Sequence, residues 1–373
     1  MNAFTDTQLD RLLTKAANGA SLAPSEIERL LTLEDPDQLA ALMATARKVR
    51  QNHFGHDVFL YGFLYASTHC RNHCRFCLYR SDNPEAPRYR KSRAEMIDLA
   101  GALTASGVHL IDLTMGEDPR VYAPDGTGFD ELLETMRQIR TATGLPMMAS
   151  VGVLPTAILT RLAELGVEWY ACYQETHTQG LYNRLRGGQD YDERMQSKVR
   201  AGELGILVEE GVLTGVGETP ADLVRSLGAM RKLGADQVRA MTFVPQTGTP
   251  MAEREKPLAS TELKLIALMR LIMPASLIPA SLDIDGLSGL SQRLEAGANV
   301  VTSLVPPGEG LAGVAQSELD IEAGKRTVAG IQETLAACGV AAAAGVDQYR
   351  SWVVARQALK RGVCREDVKR CAC

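Results

Sequence analysis

Residues 67–80, STHCRNHCRFCLYR, decide the reading of this chain. They place Cys70, Cys74 and Cys77 in a C-x3-C-x2-C spacing, with the aromatic Phe76 ahead of the last cysteine. Thiolates are the usual protein ligands of iron–sulfur clusters. A four-iron cubane held by three cysteines has one iron open to a small molecule. Two other readings compete. A zinc site uses paired Cys-x2-Cys units or cysteine with histidine, and His69 and His73 flank the loop, but a second paired unit is missing. A disulfide framework expects a secreted chain, and no apolar signal segment begins at Met1.

Immediately upstream lies VFLYGFLYAS (58–67), apolar and aromatic as a buried strand is. Seven further runs read as strands: HLIDLTM (109–115), PMMASVG (146–152), WYACYQE (169–175), ILVEEGVLTG (206–215), QVRAMTFVP (237–245), LIPASLDI (277–284) and ANVVTSLV (298–305). Helix-like stretches separate them, several ending in Gly as helix C-termini tend to. Eight strands with intervening helices predict an α/β fold, a (β/α)8 TIM-type barrel; a doubly wound sheet is the alternative. In such barrels the chemistry sits where strands end and loops begin, which is where the cysteine loop falls.

Ahead of the barrel, Ser25 and Glu28 read as a capping box, and Pro36 as the first residue of a second helix. The expected division is an N-terminal helical segment packed on the barrel (1–56), the barrel (57–312), and an Ala-rich helical extension with a charged tail (313–373). With 373 residues, 45% hydrophobic and 23% charged, the chain has material for a large core. Its net charge of −5 argues against a general nucleic-acid binder. No apolar run reaches the length of a membrane span, and a reducing, cytoplasmic setting is expected. Of the eight cysteines, Cys172 and Cys338 read as buried small hydrophobes. Cys364, Cys371 and Cys373 form C-x6-C-x-C, either a second cluster site or exposed tail thiols.

Charged residues inside apolar strands are costly unless paired or functional. Strand side chains alternate between faces. Asp112 and Thr114 therefore share a face, as do Arg239, Met241 and Phe243, and Ser281 and Asp283. If all point inward, the pocket offers two carboxylates and one guanidinium, which complements a zwitterion with two ammonium groups and one carboxylate. The competing reading is a structural salt-bridge network joining Arg239 to one or both aspartates.

After the cysteine motif, the stretches DLTMGEDP, YQET, LTGVGE, MTFVPQTGTP, LIPASLDIDG and AGANVVTS follow in order. Together they resemble the methylornithine synthase family of radical S-adenosylmethionine (SAM) enzymes, in the branch of biotin synthase and the [FeFe]-hydrogenase maturases. The similarity runs from about Arg47 to about Thr302. It implies a [4Fe–4S] cluster on Cys70, Cys74 and Cys77, and SAM bound by Phe76, Gly116, Glu117, Glu175, Arg194 and Gly217. Arg194 would meet the SAM carboxylate, although DYDERMQSKVR also reads as a solvated helix face. Asp112, Arg239, Ser281 and Asp283 would hold L-lysine. The implied activity is a carbon-skeleton mutase yielding 3-methylornithine through a 5′-deoxyadenosyl radical, with a one-electron donor such as flavodoxin or ferredoxin as partner. A maturase-like enzyme, another lysine rearrangement and a non-catalytic iron–sulfur scaffold are the rival readings.

Overall fold

A computed structural model describes residues 5–306 and 325–362. Cys364, Cys371 and Cys373 lie outside the described residues, as does the question of a second cluster.

Three helices precede the barrel: α1 (Asp6–Ala17), α2 (Pro24–Leu31) and α3 (Pro36–Phe54). Pro36 does open α3, behind an Asp35 cap whose carboxylate accepts from two backbone N–H groups. Ser25 caps nothing. Pro24 starts α2 one residue earlier, so Glu26 becomes the third helical residue and takes the Ala23 N–H at 2.6 Å.

The strands β1 (Asp57–Ser67), β2 (Leu110–Met115), β3 (Met147–Ser150), β4 (Trp169–Ala171), β5 (Leu207–Thr214), β6 (Gln237–Thr242), β7 (Pro279–Ser281) and β8 (Val300–Leu304) run parallel in the order β6-β5-β4-β3-β2-β1-β8-β7. Between β6 and β7 the pairing narrows to one bridge, Gln237 to Leu277, which brings the sheet round into a nearly closed (β/α)8 barrel. The helices α4 (Arg93–Ser106), α5 (Thr127–Thr143), α6 (Thr156–Leu165), α7 (Gln179–Leu185), α8 (Tyr191–Glu203), α9 (Pro220–Leu233), α10 (Ser260–Ile272) and α11 (Leu290–Glu295) lie between strands. Ser92 and Glu95 form a full capping box on α4, and left-handed Gly107 ends it. One continuous apolar layer packs helices on strands.

Two details depart from expectation. A two-residue strand, β9 (Ala341–Ala342), adds to the N-terminal end of β1, too short to be read from sequence. The fourth strand stops at Ala171 rather than reaching Glu175.

The chain's last described helix, Val346–Lys360, closes the bottom of the barrel. Tyr349 reaches in to share a 2.8 Å hydrogen bond with Tyr61, and Trp352 stacks on Trp169 at 5.9 Å. Phe59, Leu110, Met148 and Leu207 complete that plug. With the lower end filled, open space is left at the C-terminal mouth, where α/β barrels do chemistry. No helix among the described residues is long and apolar enough to cross a membrane.

Candidate active site

The cysteine loop leaves the end of β1 and folds back on itself, with the Cys77 N–H donating to the Cys74 carbonyl at 3.4 Å. Burial, then the neighbouring Cys74 and Cys70, push the Cys77 thiol up to about 12. Crowded, desolvated thiols resist ionisation until a cation compensates them, so this donor set fits an iron–sulfur cluster. Arg186 and Gln189 both donate to the Cys74 sulfur, at 3.4 and 3.0 Å. His73 turns away to Ser81 and Asp82. Among the described residues, no three His, Cys, Asp or Glu side chains gather as one bound metal ion requires.

Gly116 follows β2 directly under this loop. A Cβ built there stands 2.7 Å from the Cys70 Cβ and 3.0 Å from its sulfur, so only glycine allows the approach. Next to it the Glu117 carboxylate accepts from Arg71 at 2.9 Å and Arg194 at 3.4 Å. Arg194 is 3% exposed, which overturns the solvated-face reading of α8. Its other bonds run to Gln189 Oε1 at 2.6 Å and the Cys172 sulfur at 3.0 Å. Cys172 is thus a buried acceptor and not only a small hydrophobe. The Arg194 Nε–H is buried without an acceptor, a vacant donor suited to an anionic ligand.

Glu175 sits four residues past β4, at φ +66°. Its backbone rejoins the sheet through Val212, its Oε1 takes Arg186 at 2.8 Å, and its buried Oε2 has no partner. Burial pushes its carboxyl up, against the opposing Arg186 charge. A strained non-glycine residue with a spare acceptor is a common signature of a functional position. Behind it, Lys198 on α8 ion-pairs Glu210 and donates to Gln174 at 2.9 Å, tying α8, β5 and the Glu175 loop together. Gly217 is exposed, and the Glu218 carboxylate gathers the N–H groups of Gly215, Val216 and Gly217.

Inside the mouth is a cavity of about 190 Å³. Asp112, Thr114, Arg239, Met241, Phe243, Ser281 and Asp283 all line it, with Phe76 and Glu175 on the cluster side. The expected internal network exists with different partners. Arg239 pairs with Glu209 at 2.7 Å, and its Nη1 donates to Thr302 at 3.2 Å. Tyr173 donates to the other Glu209 oxygen at 2.9 Å and lies under the guanidinium. Asp283 is engaged by Arg326 at 2.6 Å and by Ser303 at 2.6 Å. Asp112 accepts from Thr114 at 2.9 Å and makes no ion pair among the described residues. Burial first, then the Glu209 charge, raise its carboxyl to about 7.

Glu209, Tyr173, Arg186 and Arg326 are the residues that sequence reasoning missed. The cost argument applied to Asp112 points equally to Glu209, a carboxylate inside the apolar run ILVEEGVLTG. Arg326 carries no such signal, because it meets Asp283 only through the fold.

An iron–sulfur loop at the mouth of a (β/α)8 barrel, beside paired arginines and carboxylates, defines a radical SAM enzyme, and residues 64–230 match the radical SAM superfamily. The chain is 42% identical to the 3-methylornithine synthase of Methanosarcina acetivorans, over 89% of this chain and 93% of that protein. The same enzyme from Methanosarcina barkeri is 41% identical, over 91% and 96%. The crystal structure of a methylornithine synthase (PylB) superposes with a TM-score of 0.86 at 39% identity, covering 91% of this chain and 99% of that one. The chain belongs to the 3-methylornithine synthase family.

Proposed function

We propose that the protein rearranges the carbon skeleton of L-lysine to 3-methylornithine, the first step of pyrrolysine biosynthesis. The charge count of the cavity carries this reading beyond family membership. Four carboxylates (Asp112, Glu175, Glu209, Asp283) stand at or behind the cavity wall with three guanidiniums (Arg186, Arg239, Arg326), so one negative charge is in excess once Asp112 ionises. Lysine carries one net positive charge at neutral pH. The carboxylate without an ion pair among the described residues is Asp112, and we assign the second ammonium to it. Glu209 and Thr302 occupy two edges of Arg239, which turns the third toward the substrate carboxylate. Asp283, already neutralised by Arg326, and Ser281 accept from the α-ammonium.

When bound, the reduced [4Fe–4S] cluster and SAM supply a carbon radical that takes a hydrogen atom from the substrate. Cys70, Cys74 and Cys77 would hold the cluster. Phe76, Gly116, Glu117, Glu175, Arg194 and Gly217 would hold SAM, with Arg186 steering Glu175. The plugged barrel floor and apolar walls exclude water and stray hydrogen donors. The electron comes from a carrier such as flavodoxin or ferredoxin, in a reducing, cytoplasmic setting. Anaerobic reconstitution with SAM and ¹³C-lysine, read by NMR, tests the reading. A branched lysine isomer supports it. SAM cleavage with lysine returned unchanged assigns the radical machinery and rejects the substrate.

A further inference from the structure

We infer that the outer face of the cysteine loop is the docking surface for a small acidic electron-carrier protein. The inference rests on the radical SAM reading above, since a cluster reduced one electron at a time needs such a partner. A second cavity, of about 440 Å³, opens on that face between Arg75 of the cysteine loop, Arg184 of α7 and Arg254. Leu181, Leu185 and Met251 form its floor. The same apolar cluster contains Phe76 and Phe243, which line the inner cavity. The apolar cluster under the outer cavity therefore continues to the wall of the active site. The Arg75 N–H donates to the Leu185 carbonyl at 2.8 Å, so the cysteine loop and α7 present one continuous face.

The charges on this face set it apart. Arg75, Arg184 and Arg254 are exposed, and none of the three makes an ion pair among the described residues. Elsewhere at this mouth Arg71 is matched by Glu117 and Arg90 by Asp118. Glu253 is the one carboxylate bordering the cavity. The whole chain carries −5, so three unmatched arginines against the cysteine loop oppose the overall charge. Electron-transfer complexes are small, and opposite charge steers their encounter. An acidic carrier seated here lies beside the loop of Cys74 and Cys77, gives up one electron to the cluster, and leaves. No bond forms or breaks.

The test compares the reconstituted wild-type protein with R184E/R254E. Binding of oxidised flavodoxin is measured by calorimetry, and cluster bleaching by reduced flavodoxin in stopped flow, at low and high salt. Photoreduced 5-deazariboflavin, small and uncharged, serves as the reference reductant. The expected result is a fall of about tenfold or more in flavodoxin binding and reduction rate at low salt, with the salt dependence flattened. Deazaflavin-driven 5′-deoxyadenosine formation stays at the wild-type level. Unchanged flavodoxin kinetics overturn the inference, as does a wild-type protein that flavodoxin does not reduce at low salt. A parallel loss with deazaflavin also overturns it, because the arginines then serve SAM or the cluster itself. Failure of the wild-type protein to cleave SAM under deazaflavin rejects the underlying reading, and the docking surface with it.

Discussion

The Glu209 carboxylate joins Arg239 to Tyr173: one oxygen accepts from the guanidinium at 2.7 Å and the other from the phenol at 2.9 Å. Arg239 and Tyr173 line one cavity and Glu209 is buried against both, so Glu209 decides which edge of Arg239 remains for a ligand. Removing one partner of a buried ion pair costs about 3–5 kcal/mol. Glu209→Gln is expected to lower the midpoint of chemical denaturation accordingly. It should also raise the KM for lysine far more than that for SAM. Equal stability of variant and parent contradicts the role given to this pair.

Asp112 sets a pH dependence. Its carboxyl holds a proton up to about 7 in the empty site, and it must ionise to accept an ammonium. Below pH 7 lysine binding therefore releases a proton, and the KM for lysine falls as pH rises, by up to about tenfold per unit, levelling above 7. Asp112→Asn should flatten this profile and weaken lysine by about 1.5–3 kcal/mol. Stability moves oppositely. Between the unfolded value of 3.8 and about 7, the folded state keeps a proton that the unfolded chain releases. This one group therefore lowers stability as pH rises through that window, and denaturation of Asp112→Asn against parent reads it directly.

At Gly116 the expectation is steric. An alanine methyl would stand within 3.0 Å of both the Cys70 Cβ and its sulfur, which displaces the cysteine loop. Gly116→Ala should lose iron and sulfide content after reconstitution while far-ultraviolet circular dichroism is retained. Full iron loading would show that the contact does not matter.

Arg194 joins α8 to Glu117, Gln189 and Cys172, with one buried donor left over. A lysine keeps the charge and loses the planar fork. Arg194→Lys should weaken SAM binding by about tenfold to a hundredfold, measured calorimetrically, with lysine binding little changed. Unaltered SAM affinity would relegate Arg194 to structure.

Much of the fold was legible because parallel strands announce themselves as short apolar runs, and Pro, Gly and Ser mark the helix ends between them. What stayed hidden depends on distance along the chain. The plug made by Tyr349 and Trp352, and the bridge that brings β6 to β7, arise from contacts that no local pattern encodes. The same holds at the site. Period-two alternation placed Asp112 and Thr114 on one face, and likewise Arg239 with Met241, because both pairs lie within regular strands. Glu175 escaped that rule when its strand ended at Ala171 and the backbone turned to a positive φ. Arg326, 43 residues from Asp283, had no periodicity to reveal it.

The most direct test of the central claim is isotopic. Perdeuterated L-lysine is incubated anaerobically with the reconstituted, reduced protein and unlabelled SAM, and the nucleoside products are analysed by mass spectrometry. Deuterium in 5′-deoxyadenosine, or at the 5′ carbon of recovered SAM, is the predicted result, because the proposed function takes the hydrogen atom from lysine. Unlabelled 5′-deoxyadenosine, formed while lysine is recovered intact, would contradict it.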